Sequence, residues 1–188
     1  MTSSLFCLAA ACNFLATPLL PPSPAAETVY QKLQGNWTAA GSRTFPTSKS
    51  YVAITAEAHT ERVQLVSTPL AFLVSHNALH EQPYDAAGMP QAAKSYARIY
   101  WVRERQGEPG TFDLGNGDNP ETGAATSVGT WDGQHFNVKQ DFGGQPAYKI
   151  DSVTDFTNQD QPSYLEKFWH GPTQLAETAL QYLRTAGP

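Results

Sequence analysis

The sequence predicts a mainly β fold, a closed antiparallel β-barrel of about ten strands with a possible C-terminal helix. Three observations support this prediction. Short β-favouring runs alternate with turn residues along most of the chain. The first run opens with Gly35-Asn-Trp37 and carries small residues at alternate positions. The 188 residues, less a leader, leave about 160 residues, which is the size of one domain.

The first 26 residues predict a secretory leader. Glu27 is the first charged side chain, and Ser23-Pro-Ala-Ala26 supplies the small residues expected near a cleavage site. We therefore divide the chain into a leader (1–26) and a single barrel domain (27–188), and expect a secreted or periplasmic protein with no membrane span after leader removal. The leader lacks Lys and Arg, so a transmembrane anchor, a mis-assigned start codon and a lipid anchor on Cys12 remain alternatives.

Composition excludes several classes of protein. Both cysteines lie in the leader, so a processed domain has no disulfide framework, thiol nucleophile or cysteine-based zinc site. The formal net charge is -5, and the basic residues do not form a stripe. Nucleic acid is therefore not an expected partner.

The first strand is predicted within Gly35–Thr47. Its alternation turns Trp37 inward, where the indole can plug one end of the barrel. Pro46 ends the strand because it has no N–H for the ladder. Small side chains at alternate positions let a neighbouring backbone approach closely. They belong to Gly35, Ala39 and Gly41.

Nine further runs are predicted as strands from their β-favouring residues. They are 51–57, 62–67, 70–75, 95–104, 111–114, 126–131, 135–140, 147–153 and 163–169. A short helix is predicted at 27–34, and Asp132-Gly133 predicts a hairpin turn. In the last segment, 172–184, apolar residues at four-residue spacing between a proline and a glycine favour a helix packed on the barrel.

The G-x-W opening followed by Phe45-Pro-Thr resembles the signature of the nitrobindin family, haem-binding barrels related to fatty-acid-binding proteins and lipocalins. Ala39 replaces one glycine of that signature. The likeness continues through Phe72–Ser75, Tyr96–Tyr100 and Gly129–Gly133. It implies a calycin-like barrel with haem as the leading ligand, and it would make 172–184 the closing strand instead of a helix.

The resemblance does not supply a haem ligand at the expected place. In nitrobindin-like barrels one histidine on the closing strand holds the iron. That position falls near Ala176 or Glu177 here, and neither can be an axial ligand. His170 is the remaining candidate for the haem iron, if the segment is shifted. The alternative is an ordinary loop histidine.

A small hydrophobic molecule is the expected partner, because aromatic residues can line an apolar cavity. The candidate ligand contacts are Trp37, Phe72, Tyr96, Arg98, Tyr100, Trp101 and Trp131. The alternative is that most of them are plain core.

A second resemblance is weaker. Glu81-Gln82 followed by Tyr96-x-Arg98 is similar to a pattern of the phycobiliprotein lyases, which are also calycin-like. It implies an enzyme in which Glu81 or Arg98 handles the polar groups of a bilin, by acid–base assistance or by pairing with a carboxylate. A cyclase that uses the same cavity and a ligand-free structural barrel are further alternatives. The sequence assigns no catalytic residue.

Overall fold

A computed structural model describes residues 20–64, 69–121 and 123–186. Within these residues the chain forms one helix and then ten strands, which confirms the predicted fold class. The elements are α1 (Pro24–Leu33), β1 (Gly35–Phe45), β2 (Ser50–Gln64), β3 (Ala71–Tyr84), β4 (Lys94–Glu104), β5 (Thr111–Asn116), β6 (Ala125–Trp131), β7 (His135–Gly144), β8 (Ala147–Asp155), β9 (Ser163–His170) and β10 (Thr173–Thr185).

The strands form a closed antiparallel barrel. Each strand pairs with its neighbours along the chain, and β10 pairs back with β1. The closing register sets Trp37 opposite Arg184 and Gly41 opposite Leu180. Because side chains alternate along a strand, every strand has one face inside the barrel and one outside.

The helix α1 covers one end of the barrel, which we call the base. Ser23 caps the helix by accepting a hydrogen bond from the Ala26 N–H at 3.2 Å, and Pro24 begins it. Val29 and Tyr30 are buried against inward side chains such as Phe112. The opposite end, where β1 ends and β2 begins, is the mouth. Since the base is plugged by apolar packing, the interior is accessible from the mouth and the side walls only.

The expected C-terminal helix is wrong, because residues Thr173–Thr185 form the closing strand β10. The strand pairs with β1 on one side and with β9 on the other. Its inward positions include the buried Ala176, Thr178 and Leu180. Local helix propensity is worth tenths of a kcal/mol per residue. The hydrogen bonds that β10 forms with two neighbouring strands and the burial of its inward face outweigh this helix propensity.

Other boundaries also differ from the sequence prediction, and β3 is much longer than the run predicted at 70–75. The runs predicted at 51–57 and 62–67 belong to one long strand, β2, as far as the described residues extend. The predicted helix at 27–34 exists but begins earlier, at Pro24. The leader (1–26) stays a prediction: residues 1–19 lie outside the described residues, and residues 20–26 form the start of α1 and the segment before it. No helix in the described part of the chain is long and apolar enough to span a bilayer.

Candidate functional site

A continuous group of polar side chains lines the interior between the base and the mouth. We call this group the belt. Its members come from β4, β3, β1, β10 and β9 in turn, so the belt follows one half of the barrel circumference. They are Tyr96, Glu81, Arg43, Thr178, Glu166 and Tyr164.

Glu81 is the centre of the first part of the belt. Its Oε1 accepts a hydrogen bond from the Tyr96 hydroxyl at 2.6 Å and lies 3.2 Å from Nη1 of Arg43. Burial and the hydrogen bond to Glu81 raise the pKa of Tyr96 above its ordinary value. The phenol therefore remains protonated at neutral pH and can act as a hydrogen-bond donor.

Thr178 joins the two parts of the belt. Its hydroxyl accepts from Arg43 Nε at 3.0 Å and donates to Glu166 Oε1 at 3.3 Å. Glu166 Oε2 accepts from the Tyr164 hydroxyl at 2.7 Å. Burial, followed by the nearby Glu166 charge, raises the pKa of Tyr164 well above its ordinary value. The second part of the belt is therefore a carboxylate that is held by hydroxyl groups.

Arg98 and Glu166 both occupy inward positions, and neither forms a salt bridge with another described residue. Arg98 donates from Nη1 to the Tyr100 hydroxyl at 3.1 Å and lies 4.9 Å over the Tyr96 ring, and the Glu81 carboxylate acts on it from beyond salt-bridge distance. Glu166 has only hydroxyl partners. The other belt arginine, Arg43, is paired with Glu81. The interior thus offers a cationic donor and an anionic acceptor that are not in salt bridges with described residues.

These two charges stand on opposite walls. Arg98 lies on β4 and Glu166 on β9, and in the order of the closed barrel these strands are five steps apart in either direction. A ligand that contacts both must cross the interior. It must also present a carboxylate to Arg98 and a hydrogen-bond donor to Glu166.

An apolar layer lies beneath part of the belt. Ala39, Ile54 and Leu180 are buried together there, with Tyr182 packed against them. Burial raises the pKa of Tyr182 to about 12. This layer provides an apolar surface for the body of a ligand, and the belt provides its polar contacts.

Four aromatic rings gather at the mouth on β7, β8 and β9. Tyr148 stacks on His170, with ring centroids 4.2 Å apart, and lies 5.9 Å from Phe168. Phe142 meets Phe168 edge to face at 6.4 Å. Phe142 is 53% exposed and Tyr148 is 40% exposed. This cluster is a surface on which a planar conjugated ring can stack.

The predicted ligand contacts fall in three places. Tyr96, Arg98 and Tyr100 occupy inward positions of β4, where they face the interior. Trp37 and Trp131 lie at the base, where Trp37 donates to the Leu33 carbonyl and Trp131 packs on Phe156. The remaining two stand on the outer side of the wall, in a cluster with Val74. They are Phe72 and Trp101.

The interior does not fit a haem held from the closing strand. Ala176 faces inward at that position, and Glu177 faces outward, with its Oε2 3.9 Å from Lys167 Nζ. His170 lies at the mouth end of β9, stacked on Tyr148. No group of three or more metal-ligating side chains occurs among the described residues. Among the histidines of the described residues, His170 is the one at an inward strand position.

Sequence reasoning missed the β9 and β10 contributions to the site. Tyr164, Glu166 and Phe168 alternate within a run that was predicted as a strand, so one face of that strand could have been recognised as a mixed polar and aromatic wall. Thr178 had no comparable signal, because its segment was expected to be helical.

Comparison with known proteins gives one result at the level of the fold. No family model matches the sequence, and no curated protein matches it. The solved structures that match include the S-type phycobiliprotein lyase CPES from Guillardia theta. The fold is similar to that lyase. The two chains share 11% sequence identity, the match covers 86% of this chain and 93% of the other, and the TM-score is 0.57. The lyase therefore supports the architecture, and the belt must supply the argument about chemistry.

Proposed function

We propose that this protein binds a small amphipathic molecule inside its barrel, and that the ligand class is a flexible tetrapyrrole of the bilin type. One observation carries the proposal, the placement of Arg98 and Glu166 on opposite walls with neither in a salt bridge within the described chain. A bilin carries propionate carboxylates for an arginine and pyrrole N–H groups for a glutamate. Its conjugated rings suit the apolar layer and the aromatic rings at the mouth.

Two further observations support this ligand class over haem. A haem needs an axial iron ligand, and the closing-strand position holds Ala176. The similar fold in the comparison belongs to a phycobiliprotein lyase. A flexible, open-chain tetrapyrrole needs no metal ligand and can bend to contact both walls.

The direct test is titration with biliverdin, monitored by its visible absorbance and induced circular dichroism. We expect saturable binding and an induced signal. Arg98→Gln should weaken binding about 10- to 100-fold, because a hydrogen bond to a charged group contributes about 1.5–3 kcal/mol. Glu166→Gln should also weaken the binding of biliverdin, since an amide is a poorer acceptor for pyrrole N–H groups.

Two matched variants control for general effects. Arg103 lies on the same strand as Arg98 but at an outward position, where its guanidinium packs over the Trp101 ring at 5.8 Å. Glu177 is the outward neighbour of Thr178. Arg103→Gln and Glu177→Gln should leave the affinity unchanged. If biliverdin does not bind, or if all four variants bind equally, the proposal is wrong. Haemin, run in parallel with His170→Ala, tests the alternative ligand by its Soret band.

A lyase-like enzyme is the second candidate, and the Tyr96–Glu81 contact of 2.6 Å favours it. A tyrosine hydroxyl bonded to a carboxylate can donate a proton to a bound ligand or remove one. This candidate predicts turnover that is lost in Tyr96→Phe while biliverdin affinity is retained. Loss of affinity in the same variant would leave Tyr96 as a binding residue only.

A further inference from the structure

The barrel wall has an opening between β6 and β7. These strands pair only from Val128–Lys139 to Trp131–Phe136, close to the base. Toward the mouth, residues 125–127 of β6 and 140–144 of β7 have no partner in the other strand, although both segments pair on their other sides. We call this opening the slot.

The slot is built into the strands that flank it. The β5–β6 pairing shifts register between Leu114 and Gly115, and the β7–β8 pairing shifts between Asp141 and Gly143. Such bulges bend a strand and end its pairing. Both bulges lie on the mouth side of the last β6–β7 pair.

The slot is lined by residues from both faces of the wall. A cleft of about 710 Å³ lies along it. Its lining includes Ser127, Gln140 and Ile150, which occupy inward positions, together with outward residues of the same strands. Inside the barrel, Ile150 is followed on the same face of β8 by Ser152, whose cross-strand neighbour is Glu166. The inner end of the slot therefore lies beside the belt.

The slot also stands opposite the centre of the belt. The belt runs from β4 to β9 through β1 and β2, so its midpoint lies between β1 and β2. In the ten-strand order, the position opposite that midpoint is the gap between β6 and β7. A molecule that enters through the slot meets the belt directly.

The rim of the slot does not favour the docking of a polypeptide strand. Its outward residues form two charged cross-strand pairs on β7 and β8, Lys139 opposite Asp151 and Asp141 opposite Lys149. Charged side chains and bulges on a strand edge prevent pairing with another chain and keep the edge hydrated. A hydrated opening with free backbone groups is suited to the passage of a small polar-ended molecule.

We infer that the slot is the entrance through which a small, carboxylate-bearing ligand reaches the belt. The inference rests on the proposed binding of such a ligand in the interior. Such an entrance controls the rate constants of association and dissociation and does not change the affinity. Closing it slows association and dissociation by the same factor and leaves the dissociation constant unchanged.

The test closes the slot with a chemical staple. Thr126→Cys and Asp141→Cys place thiols on its two sides, in a chain whose own Cys7 and Cys12 are replaced by serine, and a bis-maleimide joins them. A control staple joins Ala40→Cys and Thr55→Cys, which are paired on the outer face of β1 and β2. Stopped-flow measurements use biliverdin and, separately, the anionic dye 1-anilinonaphthalene-8-sulfonate, with mass spectrometry to verify each staple.

We expect the slot staple to lower both rate constants about tenfold or more, with the dissociation constant within about twofold, and the control staple to change neither. Unchanged rates with the slot stapled overturn the inference and assign entry to the mouth. Gln140→Trp, which narrows the slot from inside, should slow both rates even where the staple distorts the wall. Dye binding without biliverdin binding refutes the bilin proposal and still tests the slot. If neither probe binds, both proposals are wrong.

Discussion

At the scale of single residues, Gly41 shows why the first strand carries small side chains. A Cβ atom built on Gly41 would lie 2.0 Å from the Ala179 carbonyl oxygen and 2.9 Å from the Leu180 Cα. Both are backbone atoms of β10, so neither can move without opening the β1–β10 ladder. We expect Gly41→Ala to destabilise the fold by at least about 3 kcal/mol, measured by urea unfolding followed by circular dichroism.

Ala40→Val is the matched control for Gly41→Ala. Ala40 is the neighbouring residue, exposed on the outer face of the same strand, where a β-branched side chain is well tolerated. Its unfolding midpoint should stay close to that of the unmodified chain. A Gly41→Ala protein as stable as this control would mean that β1 and β10 do not close the barrel at this point.

The residues of the site differ in how far the sequence reveals them. Tyr96, Arg98 and Tyr100 alternate within one recognisable strand, so their shared face could be predicted. The partner of Tyr96 could be proposed only through a resemblance, because Glu81 lies on another strand. The belt as a whole joins five strands, and no local pattern encodes the strand registers that bring them together.

At the scale of elements, α1 is fastened to the barrel by polar contacts as well as by packing. Ser23 donates its N–H to Glu104 Oε2 at 2.8 Å and its hydroxyl to Glu104 Oε1, while Arg62 forms a two-bond ion pair with Glu27 at 2.6 and 2.7 Å. The Tyr30 hydroxyl donates to the Ala71 carbonyl at 3.0 Å. The helix is therefore part of the barrel structure.

Ser23→Ala removes both the helix cap and a partner of the buried Glu104. We expect a loss of about 1–2 kcal/mol in the free energy of unfolding, since a cap contributes about 1 kcal/mol and a buried carboxylate loses a donor. Urea titration measures the loss. Gln31→Ala, an exposed change on the same helix, should stay within about 0.5 kcal/mol. Equal effects of the two changes would show that Ser23 does not fasten the helix.

The last strand shows where local sequence information stops. Leu175, Ala179 and Leu183 have helical spacing, and the structure nevertheless places Ala179 and Leu183 on the exposed outer face of β10. The inward set, which includes Ala176, Thr178 and Leu180, has the period of a strand. Both periods are present in the segment. Only the requirement that β1 and β9 each gain a partner selects the strand, and that requirement is not local.

At the scale of the whole molecule, the barrel has three parts. They are the closed base, the wall that carries the belt and the apolar layer, and the opposite wall, which the slot interrupts. The base is packed with apolar side chains, the belt is hydrogen-bonded, and the wall opposite the belt is open at the slot. Arg98 faces the interior and is nevertheless exposed. The β5 and β6 strands are short, and β4 extends beyond its last partner on β5, so water reaches this part of the interior.

The buried tyrosines predict how the whole fold responds to alkali. Burial raises the pKa of Tyr30 and Tyr182 to about 12, and that of Tyr164 well above its ordinary value. In an unfolded chain a tyrosine has a pKa of about 10. The free energy of unfolding therefore keeps its full value below pH 10 and falls between pH 10 and about 12, because only the unfolded chain releases these protons in that range.

Absorbance at 295 nm and far-ultraviolet circular dichroism, recorded together from pH 8 to 13, test this expectation. The ionisation of Tyr30, Tyr164 and Tyr182 should lie above pH 10 and coincide with the loss of the strand signal. Tyr182→Phe keeps the ring packing and removes one of the ionisable groups, so it should move the alkaline midpoint to higher pH. Smooth ionisation of all eight tyrosines near pH 10, with the strand signal intact, would mean that water fills the interior down to the layer around Tyr182, and that a ligand could not find an apolar surface there.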